Sequence, residues 1–345
     1  METTARFFST SKNCNLRESG SPTSVSLAVE IGWIPVFVVY QFLKFESTEA
    51  LDLAGISMAT KQSQTVGKWA LAPSLVVLSG WAFIPLVLTI YFAFLRYNLQ
   101  DPDATSWFGV SNFYYFMTDP HFKRDFINTL VLVFATIVTT VVGGTLLALL
   151  LDQPFWGRGI VRLLMISPFF IMPTVSSLVW KNLIMHPVFG LFAGIQTYFG
   201  ALRPIDWFGA YPLISVIIIV SWQWLPYAAL ILLTALQSLD EEQKDAAAMD
   251  GAPALSYFRY IVLPHLARPI TVVILIETIF LLNIFAEIKL PGVGGIAGNL
   301  TYLVFSQLND ANDVGAAAAG GLIAVVLANL VSIFLVRIVG KNLEA

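Results

Sequence analysis

Long apolar segments dominate the chain and constrain its fold more than any other feature. Six of them are long enough to cross a bilayer, which takes about 20 residues of α-helix. They cover residues 69–95, 126–151, 160–183, 211–236, 269–288 and 314–339. The chain is 57% hydrophobic and 12% charged, whereas soluble domains carry about 25% charged residues. The sequence therefore predicts an all-α integral membrane protein with six transmembrane helices.

Charge, cysteine content and missing motifs exclude several classes of function. The net charge of −3 gives no basic excess that would favour nucleic acid. The single cysteine, Cys14, rules out an intrachain disulfide and a CxxC metal site. The glycine-rich run at 292–298 lacks the Lys-Ser/Thr of a P-loop, and HExxH and GxSxG do not occur. We therefore predict no enzymatic activity, no metal site and no cofactor bound by this chain.

Residues 1–57 differ from the rest of the sequence. They begin polar, and their uninterrupted apolar run at 31–40 is short for a span. A secretory signal fits poorly, because no small-residue cleavage site follows closely. Our hypothesis is that this extension is poorly ordered or derives from an upstream start codon, and that the transmembrane domain covers 58–345. If residues 25–45 do cross the membrane, the number of spans becomes seven.

A polar, Ala-rich segment at residues 245–264 interrupts the apolar pattern between the fourth and fifth spans. Ser238 and Glu241 have capping-box spacing, which predicts a helix that begins near Ser238. Gly251 suits the C-terminal cap of this helix, and Pro253 suits the first turn of a second one. The apolar face of the second helix consists of Leu255, Phe258, Ile261 and Val262. Such a helix–turn–helix either rests on lipid headgroups or docks another protein.

The spacing of this segment resembles the EAA motif in the inner-membrane permease subunits of binding-protein-dependent ABC importers. An acidic-Ala-Ala triplet precedes Gly251 and Leu263-Pro264 at the motif's distances, with Asp245 where the motif usually has Glu. The resemblance implies a type I permease with a MetI-like fold, in which the loop at 238–268 lies in a groove of the ATPase subunit. The residues implied in this coupling are Asp245, Ala246, Ala247, Asp250, Gly251, Ala252, Phe258, Ile261, Leu263 and Pro264.

The resemblance covers the chain from about residue 69 onward. Further matching motifs are NTL at 128–130, SPF at 167–169, WQWLP at 222–226, FAEI at 285–288, NLT at 299–301 and DVGAAAAGG at 313–321. ETIF at 277–280 and the sixth span are most similar to sorbitol and mannitol (polyol) permeases. The family's usual TGGGP after the fifth span is replaced by KLPGVGG at 289–295, which puts the geometry of this external turn in doubt.

The family also implies partners and a location. The expected assembly contains two ATPase subunits, a second and different permease subunit, and an extracytoplasmic solute-binding protein. ATP and Mg are used by the ATPases, and a sugar or polyol crosses the bacterial inner membrane. Lysine and arginine are only slightly more frequent on one side of the predicted spans. Because the coupling loop must face the ATPases, the resemblance places it and both termini of the core domain in the cytoplasm.

Polar residues inside apolar spans are costly, and this makes them candidates for function. In one continuous fifth span, Asn283 and Glu287 would lie together at i and i+4. The candidate substrate pathway consists of Glu277, Asn283, Glu287, Gln223, Trp222 and Asn329. Four of them have a structural alternative: an interhelical hydrogen bond for the carboxyl of Glu277, helix–helix contacts for the amides of Gln223 and Asn329, and interface anchoring or packing for the indole of Trp222.

An ion-coupled secondary transporter that uses Glu277 and Glu287 is the alternative function. Its uptake would survive without an ATPase and collapse with an uncoupler. A membrane enzyme or scaffold is a third possibility, which no catalytic motif supports.

Overall fold

The computed structural model describes residues 61–340. The chain divides into two units, Met1–Gly67 and Lys68–Ala345, and of the first unit only residues 61–67 are described. The hypotheses on residues 1–57, including a seventh span at 25–45, therefore lie outside the described residues.

Helices make up most of the described chain. The long ones are α1 Lys61–Ala93, α3 Phe122–Asp152, α8 Pro212–Gln237, α11 Leu263–Leu281 and α15 Val314–Gly340. The shorter ones are α2 Ser111–Met117, α4 Arg158–Ile166, α5 Pro173–Val179, α6 Leu191–Tyr198, α7 Trp207–Ala210, α9 Glu241–Met249, α10 Ala254–Tyr257, α12 Ala286–Lys289, α13 Gly294–Ala297 and α14 Leu300–Asn309. A 3₁₀ turn covers Ser167–Phe170, and π-helical turns cover Trp180–Ile184 and Phe258–Val262. Two strands, β1 Leu95–Asn98 and β2 Asp101–Trp107, complete the fold.

The prediction of a six-helix membrane protein is confirmed. Within the described residues, five helices are long and apolar enough to cross a bilayer, and a bent pair makes a sixth span. That pair, Arg158–Phe170 and Pro173–Ile184, is bent by 102°. Pro173 has no backbone N–H and disfavours a helical conformation in the residue before it, so the chain is extended at Ile171 and Met172.

Helices α3 and α8 pack against each other along most of their length and form the centre of the bundle. Small residues permit the close approach. A Cβ on Gly144 would lie 2.9 Å from the Cβ of Ala228 and 3.0 Å from the backbone nitrogen of Ala229. Small side chains at such crossings are the usual basis of helix association in membranes, because lipid supplies no hydrophobic driving force.

The two strands form an antiparallel hairpin between α1 and α2, with Leu95 opposite Trp107. The hairpin contacts the turn between α14 and α15, where the backbone N–H of Leu99 donates to the carbonyl of Asn312 at 2.9 Å. The sequence analysis did not predict these strands. The hairpin marks one end of the bundle, at which α1, α11 and α14 end and α3 and α15 begin.

The fifth span differs from its predicted bounds of 269–288. A continuous helix runs over Ala254–Leu281, from the polar loop into the bundle, and it ends seven residues before the predicted position. The carbonyl of Leu282 accepts from the Thr301 hydroxyl at 2.9 Å, and that of Ile284 accepts from the Asn299 amide at 2.6 Å. Side chains of α14 and its N-cap thus take carbonyls that a longer helix would have used internally.

The unusual segment 289–295 lies in a packed turn. Short helices α12 and α13 bury Ile288, Val293 and Ala297 against α3, α8 and α11. The NTL motif holds the turn in place. The amide of Asn128 donates to the carbonyls of Ile296 and Gly298, both at 3.0 Å. The hydroxyl of Thr129 accepts from the N–H of Leu300, also at 3.0 Å.

Candidate functional site

The polar loop between α8 and α11 folds as a helix–turn–helix, as predicted, but its first helix starts later. Helix α9 begins at Glu241, and its N-cap is Asp240, whose carboxylate accepts from the N–H of Glu242 at 3.1 Å. The helix thus begins three residues after Ser238, and the predicted capping box of Ser238 and Glu241 is wrong, because Asp240 is the N-cap. The Ser238 hydroxyl donates instead to the carbonyl of Ala235 at 2.7 Å, in the last turn of α8.

A Schellman motif ends α9 and explains the spacing between the Ala residues and Gly251. The N–H of Ala252 donates to the carbonyl of Ala247 at 3.0 Å, and that of Gly251 donates to the carbonyl of Ala248 at 3.1 Å. Gly251 has φ +67°, which glycine adopts without steric cost. The prediction that Gly251 caps this helix is confirmed.

The residues with EAA-like spacing separate into an outward and an inward set. The outward set is exposed and consists of Asp245, Ala246, Asp250, Gly251, Ala252, Leu263 and Pro264. The inward set packs on the bundle and consists of Ala247, Phe258 and Ile261. The inward residues anchor the loop, while the outward residues form a surface that the bundle leaves uncovered. We call this outward surface, together with the exposed Met249 and Leu255, the loop surface.

The loop surface belongs to the end of the bundle opposite the hairpin. The ammonium of Lys244 lies 3.7 Å from the carboxylate of Asp152, at the end of α3. Both side chains are partly exposed, so the pair contributes little stability. The contact nevertheless shows that the loop surface lies beside the C-terminal end of α3.

Glu277 lies inside the bundle on α11, with no exposed surface. Its Oε2 lies 2.6 Å from the hydroxyl of Thr140 on α3. Its Oε1 has no hydrogen-bond partner among the described residues. The side chain thus links α11 to α3, which is the interhelical hydrogen bond named as its structural alternative.

Gln223 and Trp222 lie beside the broken third span. The Gln223 amide donates to the carbonyl of Ile171 at 2.8 Å, in the extended break before α5. The Trp222 ring meets the ring of Trp180 edge-on at 5.6 Å. Both side chains therefore support the bend.

The other three candidates are Asn283, Asn329 and Glu287. Asn283 is exposed and donates to the carbonyl of Ile279 at 2.8 Å, and Asn329 donates to the carbonyl of Val325 at 2.9 Å. Glu287 is buried on α12, and burial raises the pKa of its carboxyl, against a hydrogen bond from its own backbone that lowers it. Because α11 ends at Leu281, the expected i, i+4 pairing of Asn283 and Glu287 within one helix is wrong.

An aromatic group that the sequence analysis did not single out as a unit lies next to Glu277. The Phe169 ring packs against Trp224 and Tyr227, each at 5.7 Å, and Trp224 packs against Phe280 at 5.3 Å. Phe280 is 57% exposed and Tyr227 is half-buried. We call these four residues the aromatic patch. Its signal in the sequence is the i, i+3 spacing of Trp224 and Tyr227 within the fourth span.

The helical bundle and the broken third span define the class of the protein as a multi-pass helical membrane protein. The model of the family described as "Binding-protein-dependent transport system inner membrane component" matches residues 144–345. The chain belongs to this family. It is an inner-membrane permease subunit of an ABC importer and not an enzyme, since ATP hydrolysis resides in a separate subunit.

Named relatives agree with this assignment. A probable ABC transporter permease protein of Sinorhizobium fredii is 33% identical over 235 residues, covering 68% of this chain and 75% of the relative. The inner membrane ABC transporter permease protein YcjO of Escherichia coli is 29% identical over 263 residues, covering 72% and 85%. The trehalose/maltose transport system permease protein MalF of Thermococcus litoralis is 26% identical over 268 residues, covering 76% and 89%.

A solved structure confirms the fold. A chain of a bacterial ABC transporter involved in the import of alginate superposes with a TM-score of 0.69 at 19% identity. The match covers 81% of this chain and 98% of that one. The MetI-like fold class predicted through the EAA resemblance is therefore correct.

Proposed function

We propose that this permease moves a sugar or polyol and that the loop surface docks a partner ATPase. The observation that carries the docking is the Schellman turn at Gly251, which ends a short acidic helix whose outer face the bundle leaves uncovered. Met249 and Leu255 flank this turn and are 88% and 77% exposed. A short helix with uncovered apolar side chains fits a groove on another protein.

The alternative, in which the loop rests on lipid headgroups, has less support. Helices that lie in the headgroup region are usually rich in lysine and arginine. Helix α9 has Glu241, Glu242 and Asp245 against the single cation Lys244. Anionic lipid would repel this surface, whereas a protein groove with basic residues would attract it.

Substitution at Gly251 tests the docking. Gly251→Val places a β-branched residue at φ +67°, which we expect to cost about 1–2 kcal/mol and to distort the turn. Gly251→Asn is the matched control, since asparagine tolerates this conformation better. We expect pull-down of the ATPase to be lost with Val and retained with Asn. Equal binding by both variants would contradict the proposal.

The substrate proposal rests on the relatives and on the aromatic patch. Relatives are named for transport of trehalose/maltose, of multiple sugars and of sn-glycerol-3-phosphate. The aromatic patch offers ring faces for the apolar C–H surfaces of a polyhydroxylated molecule. The resemblance of residues 277–280 to polyol permeases adds mannitol and sorbitol to the candidates. Measured uptake of labelled mannitol, sorbitol, maltose and trehalose decides among these candidates. If none of the four is taken up, the proposal of a sugar or polyol substrate is contradicted.

The full assembly would contain two ATPases that use ATP and Mg, a second and different permease, and an extracytoplasmic binding protein. A solved relative of this fold is an alginate transporter in complex with a periplasmic protein, which supports a binding-protein partner.

Coupling also requires the loop surface to face the cytoplasm, with both termini of the core domain on that side. A Met249→Cys variant in a Cys14→Ser background tests this. Labelling of intact cells by an impermeant maleimide would contradict the orientation.

A further inference from the structure

The two ends of the polar loop meet at a single side chain, His265. Helix α8 ends at Gln237 and α11 begins at Leu263, and buried residues from these two ends pack in one cluster. His265 lies in the first turn of α11, and its Nε2 is 2.8 Å from the carbonyl of Ala235 in the last turn of α8. A carbonyl only accepts, so the contact is a hydrogen bond in the tautomer whose Nε2 carries the hydrogen.

This contact completes the end of α8. The last four carbonyls of a helix lack partners within it. The carbonyl of Ala235 accepts from the N–H of Ser238 at 3.1 Å and from the Ser238 hydroxyl at 2.7 Å. The imidazole is the only one of these donors that comes from α11, 30 positions along the chain. This hydrogen bond joins the two helices at the neck of the loop, where Nε2 also lies 3.3 Å from the hydroxyl of Ser238.

Apolar packing surrounds this hydrogen bond. Leu236 and Leu239 from the start of the loop pack with Val262 and Leu266 from its end, and all four are buried. Their packing covers one side of the neck, and the hydrogen bond itself is partly buried. The neck is thus closed by a directional contact and an apolar cluster together.

We propose that His265 is a positioning residue that keeps the loop neck closed, so that displacement of the loop surface moves α8 and α11 as one body. Without this bond, the loop is free to shift against α8 and part of the motion is lost before it reaches the bundle. The inference rests on the proposed ATPase docking, but it assigns a separate role. Gly251 shapes the surface that binds the ATPase, whereas His265 transmits the displacement of that surface to α8 and α11.

The first test examines the bond itself, in the full chain in lipid nanodiscs with ¹⁵N-labelled histidine. The chain has three histidines, so the His265 signal is identified by its loss in His265→Gln. We expect a protonated Nε2 whose hydrogen exchanges with solvent more slowly than that of the exposed His121. A bare Nε2, or exchange as fast as that of His121, overturns the inference.

The second test measures transmission in the assembled transporter. His265→Gln keeps an N–H donor at the reach of Nε2, and His265→Leu removes it while retaining apolar volume. We expect sugar uptake per ATP hydrolysed to fall about fivefold in the Leu variant, as loss of one hydrogen bond predicts, and to stay within about twofold of wild type in the Gln variant. Thr234→Val serves as the matched control, because the exposed Thr234 hydroxyl bonds to the carbonyl of Leu230 within α8.

The two proposals fail in different ways. If Gly251→Val still binds the ATPase, the docking proposal fails. If His265→Leu keeps the wild-type ratio, or Gln and Leu lower it equally, the role of His265 is overturned while docking stands. Loss of ATPase binding in His265→Leu would likewise overturn the role of His265 in transmission, since the residue would then shape the loop surface itself. If the wild-type protein takes up none of the sugars, the substrate proposal fails. The ¹⁵N spectrum of the histidines then still tests whether His265 makes the proposed hydrogen bond.

Discussion

The contact between Glu277 and Thr140 makes a quantitative prediction about how α11 is held to α3. Thr140→Val keeps the shape of the side chain and removes its hydroxyl. Both carboxyl oxygens of Glu277 are then buried without a partner, because Oε1 has none to begin with. An unsatisfied buried polar atom costs about 1–3 kcal/mol. Interhelical hydrogen bonds measured in membranes average about 0.6 kcal/mol, so we expect a loss of about 1–2 kcal/mol of unfolding free energy.

The effect should depend on what occupies position 277. Glu277→Leu removes both carboxyl oxygens, and the Thr140 hydroxyl retains the carbonyl of Thr136 at 2.9 Å. No buried polar atom loses its hydrogen-bond partner in this variant. We therefore expect Glu277→Leu alone to change the unfolding free energy by less than about 1 kcal/mol. Combined with Glu277→Leu, Thr140→Val should then cost almost nothing.

A double-mutant cycle in mixed micelles measures this dependence. Thr139→Val is the matched control, because the Thr139 hydroxyl is exposed and bonds only to the carbonyl of Ala135 in its own helix. A coupling energy below about 0.3 kcal/mol, within the error of such cycles, would refute the reasoning. Glu277→Gln retains a hydrogen-bonding group, and we expect it to transport normally. Loss of uptake in a folded Gln variant would instead place a carboxylate in the substrate pathway.

Three further predictions concern packing, the bend and pH. Gly144→Ala forces α8 away from α3 and should lower the unfolding free energy by about 1–3 kcal/mol, whereas Gly159→Ala, with open space around it, should leave it unchanged or raise it by up to about 1 kcal/mol. Gln223→Leu frees the carbonyl of Ile171 and should destabilise the bend, seen as faster hydrogen exchange at residues 170–173 while exchange elsewhere is unchanged. The raised pKa of Glu287 means that its neutral form is favoured in the fold, so stability should fall as pH rises above the carboxyl's ordinary pKa towards the raised value. Denaturation across that range should show a flatter profile for Glu287→Gln, and identical profiles would contradict the burial argument.

Local signals in the sequence predicted much of the loop. The Schellman cap at Gly251 depends on one residue and its near neighbours, so spacing was enough to find it. The start of the same helix was missed, because Ser238 and Asp240 are both good caps. The choice between them follows from the end of α8, whose carbonyl at Ala235 takes the serine hydroxyl.

Contacts between distant segments were not predictable from apolar length alone. Residues 282–288 are as apolar as the helix before them, yet the fifth span ends at Leu281. Thr301 and Asn299 decide this by binding carbonyls of Leu282 and Ile284 across about 15 to 19 positions of sequence. The partner of Glu277 was hidden for the same reason, since Thr140 lies 137 positions away.

The helical run over Ala254–Leu281, which includes the π-helical turn at Phe258–Val262, has a geometric consequence for movement. Its 28 residues correspond to a rod of about 42 Å at 1.5 Å per residue. A tilt of about 10° around one end carries the other end through about 7 Å, which exceeds one helical turn of about 5.4 Å. A modest swing beside Gly251 is thus magnified at Leu281 into a shift large enough to exchange one set of side-chain neighbours for the next.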